Sequence, residues 1–98
     1  MKRSKYLKNT KMVDQSCDEK TNIDMRNLIL SKEGVMAIDI LRPRMFGTKI
    51  YVDVEIAADG KLTLEESHRI AENVHNAIEK EFPSVKHCMV HVNPYAGT

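Results

Sequence analysis

Between positions 49 and 57 apolar and polar side chains alternate without a break: Ile50, Val52, Val54 and Ile56 share one parity, and Tyr51, Asp53 and Glu55 the other. Successive side chains of a strand point to opposite faces, so a period of two demands a strand with one buried face and one functionalised face. Such a strand needs neighbours in a sheet and a cover for its apolar side. The rest of the chain supplies both. Upstream, residues 35–41 are β-compatible and are followed by the breakers Pro43 and Gly47, so a short link around residues 45–48 makes the two runs a hairpin. Downstream, Thr63-Leu64-Glu65-Glu66 has the form of a capping box, in which a threonine side chain and the glutamate three residues later satisfy the first free amides of a helix. The helix it starts carries an apolar stripe of Leu64, Ile70, Ala71, Val74, Ala77, Ile78 and Phe82, leaves His68, Glu72, His75 and Glu79 on more polar faces, and is stopped by Pro83. Cys88, Val90 and Val92 then alternate with Met89, His91 and Asn93 in a last strand that ends at Pro94. Near the start, Ser16-Cys17-Asp18-Glu19 offers an N-cap with acids in the first turn, and Ile23, Leu28, Ile29 and Leu30 give a loose apolar stripe. This predicts a helix over 18–31 with its C-cap region near Gly34. The order is αββαβ, an α+β fold: a two-layer sandwich of the ferredoxin-like, metallochaperone-like kind with both helices on one sheet face.

Ninety-eight residues, 42% of them hydrophobic, suffice for one small domain and one core. No apolar run approaches the roughly 20 residues that span a bilayer, and the first residues lack the apolar stretch of a signal peptide, so the isolated chain is expected to be soluble. Cys17 and Cys88 are far apart and form no C-x-x-C pair, which argues against a disulfide framework or a zinc ribbon and fits a reducing cytoplasm. The net charge of +1 hides an asymmetry. Lys2, Arg3, Lys5, Lys8 and Lys11 put five of the fifteen basic residues into the first eleven positions, leaving residues 12–98 at a net −4. A mildly acidic folded part disfavours nucleic acid as a partner. The 1–11 segment reads either as a solvated tail or as a basic juxtamembrane segment drawn to anionic lipid, and in both cases is expected to extend away from the domain formed by 12–98.

The side chains able to hold a cation are Asp39, Asp53, Glu55, His68, His91 and Asn93, with His75, His87, Cys17 and Cys88 outside that group. None forms a self-sufficient motif. His68 and His75, seven apart on one helix, are about 10 Å apart along its axis, too far to chelate one ion together. A metal site must therefore be assembled from separate elements or from two chains. Asp53 and Glu55 repeat on one strand face, where like charges repel; a cation relieves that, and so does Arg42, Arg44 or Lys49 on the neighbouring strand. Catalysis finds no support, for there is no G-x-S-x-G, no glycine-rich phosphate loop and no nucleophile paired with a base, so the chain is not expected to be an enzyme.

Taken together, four stretches resemble the C-terminal cytoplasmic domain of cation diffusion facilitators, the cation efflux family of metal transporters. Glu33-Gly34-Val35 with Leu41-Arg42-Pro43-Arg44 resembles the family's "EGV...LRxR" strand. Tyr51-Val52-Asp53-Val54-Glu55-Ile56 resembles "VDVHI", Leu62-Thr63-Leu64-Glu65-Glu66-Ser67-His68 resembles "LSLEEAH", and Val90-His91-Val92-Asn93-Pro94 resembles "VHVEP". Met12-Val13-Asp14 is similar to the "LMD" that follows the last transmembrane helix. The resemblance implies a homodimer beneath the transmembrane domain of a parent transporter, at the cytoplasmic face of the cell membrane, that senses divalent metal ions and biases the transporter's conformation. It also places His91 and His68 on positions that are metal ligands in relatives, with Asp53 near one. Three positions depart from the pattern: Asp39 stands for the histidine of "HDLR", Glu55 for that of "VDVHI", and Asn93 for the acid of "VHVEP". Two imidazoles fewer leave an oxygen-rich ligand set suited to manganese, iron or cobalt, or to weak zinc binding. The alternative is a free-standing ferredoxin-like dimerisation or ligand-binding protein without metal function. Under both readings the apolar remainder, Met36, Met45 and Met89, favours association as a two-fold dimer.

Overall fold

The structure, a computed structural model, describes residues 15, 16 and 18–96. In chain order its elements are β1 (Gln15–Ser16), α1 (Glu19–Leu30), β2 (Ala37–Phe46), β3 (Lys49–Ala58), α2 (Leu64–Glu81) and β4 (Val85–Pro94). They form one four-stranded sheet in the order β1-β2-β3-β4. The β1/β2 and β2/β3 pairs are antiparallel, whereas β4 runs parallel to β3, with α2 as the crossover that parallel neighbours require. The αββαβ order read from the sequence is thus observed, with β1 added at the edge. The basic 1–11 segment and the Met12-Val13-Asp14 stretch lie outside the described residues, as does Cys17.

Both helices cover the same sheet face. Met25 and Ile29 from α1 and Ile70, Val74 and Ile78 from α2 close over Ile50, Val52, Val54 and Ile56 of β3 and Cys88 of β4, the parity that the alternation assigns to the core. Two apolar stripes are narrower than the sequence suggests. Met25 and Ile29, four apart, take the buried side of α1, so Ile23 and Leu30 lie roughly 200° and 100° around the wheel and remain 49% and 44% exposed. Leu64 sits about 120° around α2 from Ile70 and is 88% exposed, which removes it from the core.

Element ends differ for identifiable reasons. Asp18, not Ser16, caps α1, accepting a 2.8 Å hydrogen bond from the Thr21 amide, while Ser16 pairs with Arg44 in β1. The helix closes on Ser31, and Gly34, with φ at 91°, turns the chain three residues later. Pro43 does not end its strand: β2 continues through it to Phe46. Pro43 stands opposite Val52, and beyond it β1 pairs only with Arg44 and Met45, so its missing N–H falls where an edge strand tolerates proline. The last strand begins at Val85, earlier than expected, because the Phe82–Ser84 turn delivers it directly beside Ile50.

The capping box at the start of α2 forms as expected. The Glu66 amide donates to Thr63 Oγ1 at 3.1 Å, and the Thr63 amide donates to Glu66 Oε1 at 2.9 Å. Thr63→Ala is expected to cost about 1 kcal/mol, seen calorimetrically as a thermal midpoint about 4–8 °C lower.

Candidate metal centre on the open sheet face

The sheet face away from the helices is built by register. Tyr51, Asp53 and Glu55 point there from β3, and their partners Arg44, Arg42 and Ile40 on β2 and His87, Met89 and His91 on β4 share that side, followed by Asn93 opposite Ala57. A bulge between Ile38 and Ile40 leaves Asp39 as the extra, unpaired residue of β2, which re-aims its side chain beside the same rows.

The candidate ligands fall into three places. Asp53 is engaged by Arg44, whose Nη2 donates to Asp53 Oδ2 at 2.8 Å, with both side chains about one-third exposed. Of the two ways to relieve the Asp53/Glu55 repulsion, the neighbouring arginine is the one in contact with Asp53. Glu55 belongs to a different group. Asn93 Nδ2 donates at 3.0 Å to Glu55 Oε1 and at 3.0 Å to Asp39 Oδ2, and His91 stands in register with Glu55 one row along β4. Two carboxylates and an amide, drawn from three strands, are thereby joined on the open face, and His91 stands beside them by register. His68 lies elsewhere, on the helix layer, in a hollow of about 300 Å³ lined also by Ala71, Glu72, His75 and Val90. His75 Nε2 is 3.1 Å from Glu79 Oε2, one turn along α2.

At the hairpin end of the face, Phe46 and Tyr51 pack edge to face with centroids 5.1 Å apart, and Tyr51 lies 6.1 Å from His87. Among the described residues, no three His, Cys, Asp or Glu side chains converge as a complete metal site within one chain. The oxygen and nitrogen donors present suit a hard or borderline divalent cation, with coordination left open to water or to a second copy. Asn93 is one of the side chains able to hold a cation and departs from the family's acid; its position at the centre of the group follows only from the parallel β3/β4 register.

The family model described as the cytoplasmic domain of cation efflux proteins matches residues 17–95. The chain belongs to that family. Among its curated relatives, the cation efflux domain is 31% identical over 84 residues to the manganese efflux system protein MneP of Bacillus subtilis (strain 168), covering 86% of this chain and 28% of that protein. It is 30% identical over 83 residues to metal tolerance protein C1 of Arabidopsis thaliana, covering 85% of this chain and 18% of that protein. The chain therefore spans under a third of the length of these relatives. Among solved structures, a MamM-CTD superposes with a TM-score of 0.76 at 25% identity over 79% of this chain and 98% of that one. A MamM CTD variant in a nickel form shares the fold with a TM-score of 0.77, 23% identity and 80% and 99% coverage. These likenesses bear out the ferredoxin-like α+β sandwich. Among the described residues of this cation efflux domain, no helix is long and apolar enough to cross a membrane.

Proposed function

We propose that this domain is the regulatory cytoplasmic part of a divalent-cation efflux transporter, dimerising beneath the membrane-embedded domain and responding to metal ions through the open sheet face. The observation that carries the reading is the hydrogen-bonded group of Asp39, Glu55 and Asn93, from β2, β3 and β4, on the open sheet face, with His91 at the register position beside Glu55. Two carboxylates this close repel, so a cation bound among them gains the attraction of both and relieves their mutual cost. The donor set, three oxygens and one imidazole nitrogen, favours manganese, iron or cobalt and gives zinc a weaker hold. Asp53 contributes charge behind Arg44, and His68 serves a separate, peripheral position on the helix layer.

A site left incomplete in one chain suits a sensor. If a second copy supplies the remaining donors, ion binding favours one relative orientation of the two domains, and that difference in affinity is what can bias an attached transporter; an ion held equally in every arrangement would shift nothing. Met89, 46% exposed on the same face, gives the second copy apolar surface to meet.

Titration calorimetry with Mn²⁺ and Zn²⁺, paired with thermal unfolding, tests the reading. His91→Ala is expected to weaken ion binding and to abolish the ion-induced rise in thermal midpoint, which reports binding to the folded state alone. His75→Ala, on the helix layer, should change neither. Should both variants match the parent, the open face is not an ion site and the domain acts by dimerisation alone.

A further inference from the structure

The polar group on the open face has an amide at its centre. Both acceptors of Asn93 Nδ2 are carboxylate oxygens, which offer only lone pairs, so the NH₂ end of the amide, not its oxygen, must face them. Both of its hydrogens are spent, one on Asp39 across β3 and one on Glu55 two residues diagonally along β3. With each oxygen 3.0 Å from the same nitrogen, the two carboxylates are held within about 6 Å of each other. A divalent cation binding both would sit about 2.0–2.6 Å from each oxygen, in the space the nitrogen takes.

From this we infer that Asn93 is a built-in, neutral stand-in for an ion between Asp39 and Glu55, a positioning residue that holds the ion-free arrangement together and sets how much free ion is needed to displace it. The inference rests on the ion-site reading above and adds its regulation. Before an ion can engage both carboxylates, the Asn93 amide must turn about its Cβ–Cγ bond to present Oδ1, or swing aside. Two charge-assisted hydrogen bonds are given up in either case, and the apparent affinity falls accordingly. The bulge makes the arrangement specific: were the ladder regular beyond the Ile40–Glu55 pair, position 39 would stand opposite Ile56, on the core parity. An acid at position 93 would do the opposite of the amide. It would add a third negative charge, raise the cost of the ion-free state and hold the ion more tightly, since ligand charge count tunes such affinities.

The test is calorimetric titration of Mn²⁺ and Zn²⁺ into the parent and Asn93→Asp, with thermal unfolding of both in chelator. Asn93→Asp should bind Mn²⁺ at least about tenfold more tightly, melt lower without ion, and show a larger ion-induced rise. A second measurement needs no variant: in ion-free parent, the Asn93 side-chain amide hydrogens should exchange with solvent more slowly in NMR than those of exposed Asn73 and Asn76, and saturating Zn²⁺ should remove that protection. If the parent binds ion and Asn93→Asp binds no more tightly, or if the Asn93 amide is unprotected without ion, the stand-in role is wrong while the ion site stands. If neither protein binds Mn²⁺ or Zn²⁺, the ion-site reading falls and takes this inference with it.

Discussion

Gly34→Val is expected to leave little folded protein at 37 °C, and Gly34→Ala to be severely destabilised, although the position is neither in a helix nor in a strand. Gly34 has φ at 91°, where an L-residue costs about 1–2 kcal/mol and a β-branched one more. A Cβ built there would also lie 2.5 Å from Ile70 Cδ1 and 2.8 Å from Ile70 Cγ1. Ile70 is 7% exposed and packed into the core, so it can yield only by leaving its rotamer or pushing α2 outward, an overpacking cost of about 1–3 kcal/mol. Together these reach roughly 2–5 kcal/mol, against a total stability of about 5 kcal/mol at the low end for natural domains. Urea unfolding of Gly34→Ala, alone and with Ile70→Ala, separates the two contributions. The steric part should be relieved in the double variant, giving a less-than-additive loss, whereas the backbone part should persist. A loss below about 1 kcal/mol for Gly34→Ala would mean that the loop accommodates a side chain and that its contact with α2 is loose.

The fold was largely legible because its strongest signals are periodic and local. The 49–57 alternation defines β3 and the face it buries, and the Thr63–Glu66 capping box marks the start of α2 to the residue. The capping box closes entirely within one turn, so no distant contact can override it. What proved less legible depends on neighbours. Pro43 reads as a breaker until the sheet shows that the two-residue β1 pairs only with Arg44 and Met45 and stops short of it, and Leu64 reads as core until Ile70, Val74 and Ile78 settle which side of α2 meets the sheet. In the candidate site, chemistry was readable and pairing was not. The sequence offers Asp39, Asp53, Glu55, His68 and His91 as possible ligands, but a parity assignment cannot tell which carboxylate an arginine on the next strand will take. The 2.8 Å Arg44–Asp53 contact and the bulge at Asp39 set the grouping, and both depend on β2/β3 register. Asn93 reached its place through the parallel pairing of β4, which no local pattern encodes.

Cys88 provides the other large expected effect, a thiol all but silent to alkylating reagents at neutral pH. It is 6% exposed on the core side of β4, opposite Val52, and burial first, with the charges of Glu79 and Asp53 second, pushes its pKa up from 9.0 to about 11. Two units mean that the thiolate, the reacting species, is about 100-fold scarcer at a given pH than for an ordinary cysteine, before any limit on access is counted. In a Cys17→Ser background, disulfide-exchange labelling at pH 8 should therefore be at least about 100-fold slower in the folded protein than in denaturant. The same shift fixes a pH dependence of stability. Below about pH 8 the thiol is essentially protonated both folded and unfolded, and the contribution of burying it neutral is complete. Between about pH 9 and 11 the unfolded thiol ionises while the folded one resists, so the unfolded state releases protons first and stability falls as pH rises. Cys88→Val, which keeps an apolar side chain of similar size against Val52, should lack this component. The difference in unfolding free energy between parent and Cys88→Val should thus be flat below about pH 8 and should turn against the parent above about pH 9. Rapid labelling of the folded chain, or parallel pH profiles for the two proteins, would place the thiol in contact with water and loosen the packing of β4 against α2.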